Sequence, residues 1–167
     1  FYEFLKNAGI SNLQSEEHYG LSLVLGGGEV TMEELAMLYA TLSNNGELKS
    51  IRKTHSSKNE KGIPILSPEA SFIVKDMLRS TTRPDVHFQK DWLRSAPEVS
   101  WKTGTSYGFR DAWTAGIMGP YVLIVWLGNF DGQGNPAFVG VQSAAVLFFE
   151  ILDAIHAEQS KTFANTT

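Results

Sequence analysis

The order of hydrophobic patterns predicts an α+β fold, an antiparallel sheet flanked by helices. Three observations carry this. Residues 1–80 hold apolar residues at helical spacing, residues 98–130 switch to a period of two, and residues 141–158 form one strongly apolar run. The chain has 167 residues, enough for one domain with a sizeable core. Residues 1–158 are expected to form that domain, with 159–167 as a tail or linker.

The first segment, "FYEFLKNAG", reads as a short helix with Phe1, Tyr2 and Leu5 on one face and Gly9 as its stop. "GLSLVLGGGEVTMEELAMLYATLSNNG" (20–46) follows. Gly26–Gly28 lack both the GxGxxG and the GK[ST] pattern, so a turn is expected there rather than a phosphate loop. Thr31 stands three residues before Glu34, a capping box. Leu35, Leu38, Tyr39 and Leu42 then recur at helical spacing and predict a core helix ended by Asn44-Asn45-Gly46.

Residues 47–62 are polar and predict an exposed hairpin or loop. "SPEASFIVKDMLRS" opens with Ser67 as N-cap and Pro68 at the first helical position. Ile73, Val74, Met77 and Leu78 would form its buried stripe. Residues 81–97 read as an irregular connector.

From 98 the chain alternates. Val99, Trp101, Thr103 and Thr105 fall on one face of a strand, and Ser100, Lys102 and Gly104 on the other. Two further strands, 110–118 and 121–130, are joined by a tight Gly119-Pro120 turn. After the glycine-rich "GNFDGQGNP" loop, residues 141–158 form a helix able to pack across the sheet. Trp101, Trp113 and Trp126 suit the core, and Arg110 and Asp111 suit a structural ion pair.

Composition narrows the function. A formal charge of -4 leaves no basic footprint for nucleic acid. With no cysteine there is neither a disulfide nor a thiolate metal site. The apolar runs 121–127 and 144–149 fall far short of the roughly 20 residues a membrane helix needs, so this segment makes no membrane contact of its own. The four histidines show no metal-ligand spacing.

The chemistry-bearing row is "KTGT", Lys102 to Thr105. One flat sheet face cannot present both Lys102 and Thr103, so a site using both must lie at a strand edge. There lysine supplies a point charge, threonine hydroxyls supply donors, and a backbone N–H beyond Gly104 can meet a developing oxyanion. Read without its flanks, the row is a weak four-letter match, and an exposed lysine among β-favouring threonines is the better reading.

The flanks distinguish these readings. "KTGTSYGFRDAWTAGIMGPYVLIVWLGNFDG" (102–132) resembles the motif strand and following hairpin of class A penicillin-binding proteins, with wording nearest their 1C branch. "GLSLVLGGGEVTMEELAMLYATLSNNG" and "FYEFLKNAGI" resemble the segments that precede it in that family. The resemblance implies the C-terminal part of the serine β-lactamase/D,D-peptidase fold and a D,D-transpeptidase of cell-wall synthesis. Its partners would be peptidoglycan stem peptides, β-lactams and the upstream part of the same domain. It implies no metal or cofactor. It further implies an extracytoplasmic place, on the periplasmic face of the inner membrane, behind an upstream glycosyltransferase and anchor. Lys102, Thr103, Gly104 and Thr105 would bind substrate. Lys102 and the Thr105 N–H, as oxyanion donor, would also take part in catalysis. A hydrolase of the same fold (carboxypeptidase or β-lactamase) and a degenerate non-catalytic domain share the motif.

The family places Ser-x-x-Lys and Ser-x-Asn before Lys-Thr-Gly. "SIRK" (50–53), "SKN" (57–59) and "SNN" (43–45) match by letter only. The first two crowd one polar segment and the third ends a helix, whereas the family nucleophile starts a buried helix. The nucleophile, its lysine and the Ser-x-Asn loop are therefore expected upstream of Phe1, and these residues are expected to be inactive without them.

Overall fold

The computed structural model describes residues 1–54, 61–79, 83 and 98–164, with side chains as far as residue 158. The stretch read as one domain divides into two compact units, Phe1–Leu78 and Arg79–Thr167.

The first unit begins with α1 (Tyr2–Asn7), which buries Leu5 and ends at Ala8, just before Gly9 at φ 80°. Phe1 departs from expectation. It lies outside the helix, 65% exposed, and stacks on Phe4. Two short elements went unread in the sequence: α2 (Glu16–Tyr19), capped by Ser15, and a 3₁₀ turn, Gly20–Leu25. At four and six residues they are too short to show a period. A small core of Leu5, Ile10, Tyr19 and Leu23 joins these pieces. Tyr19 buries its ring there, accepts the Gln14 N–H at 2.9 Å and donates its hydroxyl to Glu29 at 2.5 Å.

α3 (Met32–Ser43) starts with both halves of the capping box. The Glu34 N–H reaches Thr31 Oγ1 at 3.2 Å, and the Thr31 N–H reaches Glu34 Oε2 at 2.8 Å. Glu34 also accepts the Ser11 N–H at 2.7 Å, tying the chain after α1 to the head of α3. The helix ends at Asn44, followed by Asn45 in the left-handed region. Leu35, Leu38, Tyr39 and Leu42 are half-buried rather than core, and the one fully buried side chain is Thr41. β1 (Glu47–Leu48) pairs antiparallel with β2 (Ile63–Pro64), and residues 55–60 of the polar segment between them lie outside the described residues.

α4 (Pro68–Arg79) is capped as expected, the Ala70 N–H reaching Ser67 Oγ at 3.1 Å. Its stripe is not where the sequence put it. Ile73, Val74 and Met77 are exposed and Leu78 is half-buried. The packed line is Ser71, Lys75 and Leu78, at helical spacing on another side of the helix. Periodicity names residues that share a face and leaves open which face has neighbours.

The second unit is the expected meander with its closing helix. β3 (Ser100–Thr105), β4 (Asp111–Met118) and β5 (Tyr121–Gly128) form an antiparallel sheet in that order, so β3 and β5 are edges among the described strands. The Gly119-Pro120 turn has a positive φ at glycine followed by proline's fixed negative φ, which suits the twist of a two-residue hairpin. α5 (Ala144–Ala164) covers one face. Pairing puts Trp101, Thr103 and Thr105 on that face with Ala112, Thr114, Met118, Leu123 and Val125. Phe148, Phe149 and Leu152 of α5 complete its core, with Trp101 edge-on to Phe149 at 4.9 Å. The backbone of α5 runs six residues into the expected tail, to Ala164.

Of the three tryptophans expected in the core, Trp101 alone is buried. Trp113 and Trp126 are half-buried neighbours on the opposite face, ring centroids 6.2 Å apart. The ion pair expected of Asp111 is replaced by a neutral donor, since Asp111 Oδ1 accepts the Trp126 indole N–H at 2.9 Å. Of the expected connector, only Arg83 lies among the described residues. It forms a two-pronged ion pair with Asp153, at 3.1 and 3.3 Å, over the ring of Phe149.

Candidate functional site on the edge of β3

Lys102, Thr103, Gly104 and Thr105 are the last four residues of β3. The ladder register fixes which backbone groups face outward. The Ser106 N–H donates to the Asp111 carbonyl at 3.0 Å, so Ser106 points inward, towards β4. Alternation then turns Gly104 and Lys102 towards β4, and the N–H and C=O groups of Thr105 and Thr103 away from it, to the open edge. The corner after the strand is held tightly. The Asp111 N–H reaches Ser106 Oγ at 2.8 Å and the Phe109 N–H reaches the Ser106 carbonyl at 3.1 Å. Phe109 itself has φ 55°, and its carbonyl accepts the Asn135 N–H at 2.9 Å, which docks the 128–136 loop onto this corner.

The side chains divide between the faces. Lys102 is exposed on the face away from α5 and bends round the edge, its Nζ donating to the Thr103 carbonyl at 2.7 Å. Thr103 is half-buried and Thr105 exposed, both on the α5 face. That face is closed between them by Gly140, whose N–H donates to Thr105 Oγ1 at 2.9 Å. A Cβ at position 140 would stand 2.6 Å from the Gly104 carbonyl oxygen and 3.1 Å from Thr103 Cβ, so only glycine fits this approach. Among the described residues, what stays open is the edge itself. An ammonium, two threonine hydroxyls and the outward N–H groups of Thr103 and Thr105 line it, a set suited to an anion and to a carbonyl gaining charge.

Gly140 is the residue that sequence reasoning missed. It follows Val139 just ahead of an apolar helix, and nothing local marks its partner in β3. The rejected motifs fall elsewhere. Ser50–Lys53 lie in irregular chain, with Lys53 paired to Glu33 at 2.7 Å. Ser43–Asn45 is the end of α3, and Ser57–Asn59 lies outside the described residues. No helix among the described residues is long and apolar enough to cross a membrane.

The family model "Penicillin binding protein transpeptidase domain" matches residues 5–142. Penicillin-binding protein 1C of Escherichia coli (strain K12) is 30% identical over 131 residues, 78% of this chain and 16% of that protein. Penicillin-binding protein 1A of Clostridium botulinum (strain Langeland) is 31% identical over 135 residues, 78% of this chain and 15% of that protein. The chain thus spans about a sixth of the length of these relatives. In fold it is similar to the crystal structure of penicillin-binding protein 1A from Haemophilus influenzae. The TM-score is 0.61 at 21% identity, over 84% of this chain and 28% of that one.

Proposed function

Because this chain belongs to the family of penicillin-binding protein transpeptidase domains, we propose that it forms the lysine–threonine–glycine wall of a serine D,D-transpeptidase. The whole protein would cross-link peptidoglycan stem peptides on the periplasmic face of the inner membrane, behind an upstream glycosyltransferase and anchor. An upstream serine attacks the carbonyl between the two terminal D-alanines. Its proton passes to the neighbouring lysine of Ser-x-x-Lys, the C–N bond breaks, and D-alanine leaves as the amine. A second stem peptide's amine then takes the acyl group and frees the serine. β-Lactams acylate the same serine.

In this scheme Lys102 supplies positive charge to the cleft and orients the hydroxyl of Ser-x-Asn. The hydroxyls of Thr103 and Thr105 donate to the substrate's terminal carboxylate. The Thr105 N–H and the nucleophile's own N–H receive the oxyanion. The observation that supports this best is the double character of Thr105. Its N–H is left unpaired by β4, and its exposed hydroxyl gives no proton to any described protein group.

Two substitutions at Thr105 in the full-length protein separate these roles. Thr105→Ala keeps the N–H and loses a hydroxyl bond to a charged group, on the order of 1.5–3 kcal/mol, or roughly 10- to 150-fold in acylation by a carboxylate-bearing β-lactam. Thr105→Pro removes the N–H and should cost roughly 10²–10³ with any ligand, carboxylate or none. Both rates count only for variants that melt like wild type, since proline disturbs strands. A folded Thr105→Pro protein that acylates at the wild-type rate would remove Thr105 from the oxyanion hole.

A further inference from the structure

We propose that Gly140 is a positioning residue for the carboxylate-binding wall, its backbone N–H holding Thr105 Oγ1 so that the hydroxyl proton is directed at the open edge. The inference rests on the carboxylate role proposed for Thr105. A threonine hydroxyl has one proton and two lone pairs. The Gly140 N–H occupies one lone pair at 2.9 Å, in the one hydrogen bond that Thr105 Oγ1 makes among the described residues. An acceptor already engaged by an N–H cannot turn its own proton towards that donor, so the proton is left for the exposed side.

Gly140 is itself held firmly. It is buried, and its carbonyl accepts the Ala145 N–H at 2.8 Å in the first turn of α5. The Val139 carbonyl before it receives the Gln142 and Ser143 N–H groups, both at 2.9 Å, and the Ser143 hydroxyl at 2.8 Å. The start of α5 therefore sets the orientation of a rotatable group on β3. Glycine is needed because any Cβ would press on the Gly104 carbonyl and Thr103, moving the hydroxyl it serves.

The test uses second-order acylation rates of the full-length protein with two matched β-lactams, one bearing the free carboxylate and one with it esterified. Gly140→Ala, Thr105→Ala and the double variant are compared with wild type. Gly140→Ala is expected to slow the carboxylate ligand about tenfold and the ester much less. The double variant should be no slower than the slower single, as two changes to one interaction require. If Gly140→Ala slows both ligands equally and the losses multiply in the double variant, Gly140 is only structural and the proposal is overturned.

A second readout needs no change at Gly140. Hydrogen exchange at the Gly140 amide should stay slow in Thr105→Ser and quicken about tenfold in Thr105→Val, which lacks the acceptor. Unchanged exchange in a folded Thr105→Val protein overturns the proposal even if Gly140→Ala does not fold. The two levels separate cleanly. If Thr105→Ala keeps wild-type discrimination between the ligands, the carboxylate role of Thr105 fails. If Thr105→Ala loses it and folded Gly140→Ala does not, Gly140 alone is misassigned.

Discussion

Ser50 and Lys53 have the spacing of a nucleophile and its base, and their surroundings give them neither role. Lys53 is drawn to Glu33, and the chain around Ser50 is irregular and exposed. In the full-length protein, Ser50→Ala should leave β-lactam acylation within about threefold of wild type, since changes on exposed surface usually cost under ~0.5 kcal/mol. A hundredfold loss with an unchanged melting curve would mean that the nucleophile is Ser50 after all. Lys102 to Thr105 are legible as a group because their chemistry is local and contiguous. Gly140 is not, because its partner is 35 residues away along the chain and only the fold brings them together.

Helix α3 is readable for the same reason that Lys102 to Thr105 are. A capping box needs only two residues three apart, and both hydrogen bonds of this one are present. The burial of α3 and α4 is not readable, because it depends on what packs against them. Ser71, not the apolar Ile73 or Met77, is the fully buried position of α4, and its hydroxyl has no hydrogen-bond partner among the described residues. Glu34 makes the capping of α3 dependent on pH. Partial burial alone would raise its pKa, but hydrogen bonds from Thr31 and Ser11 outweigh that and hold it at about 2, below the ordinary 4.5. A carboxylate depressed on folding contributes stability above its unfolded pKa and loses it as pH falls through the folded value. Glu34→Gln is therefore expected to cost about 1–2 kcal/mol at pH 7, after allowance for solvent screening. That cost should shrink between pH 5 and pH 2. Denaturant melts of both proteins across that range check it, and a gap that stays constant to pH 2 would show that the charge is not what matters.

For the whole molecule, the change of period at residue 98 makes the β3–β5 meander and its closing helix legible. The division into two units is not, because no proline-rich or charged linker marks Leu78 and Arg79. A polypeptide of these 167 residues should form no covalent adduct with fluorescent penicillin, because its Ser-x-x-Lys lies in an exposed loop. A stoichiometric adduct by intact mass would refute this, and the modified residue would name the nucleophile. The second edge of the sheet has a consequence of another kind. β5 reads "YVLIVWLG", eight residues without a charge or a proline, rich in β-branched and aromatic side chains, and paired on one side only among the described strands. Such a strand is a template for self-association, and natural sheets usually blunt it with lysine, proline or a covering segment. Lys102 gives β3 a charged gatekeeper, whereas β5 has none. Expressed by itself, the polypeptide would therefore be prone to aggregate through β5, and one lysine at Val122 or Ile124 would be the smallest change to keep it monomeric.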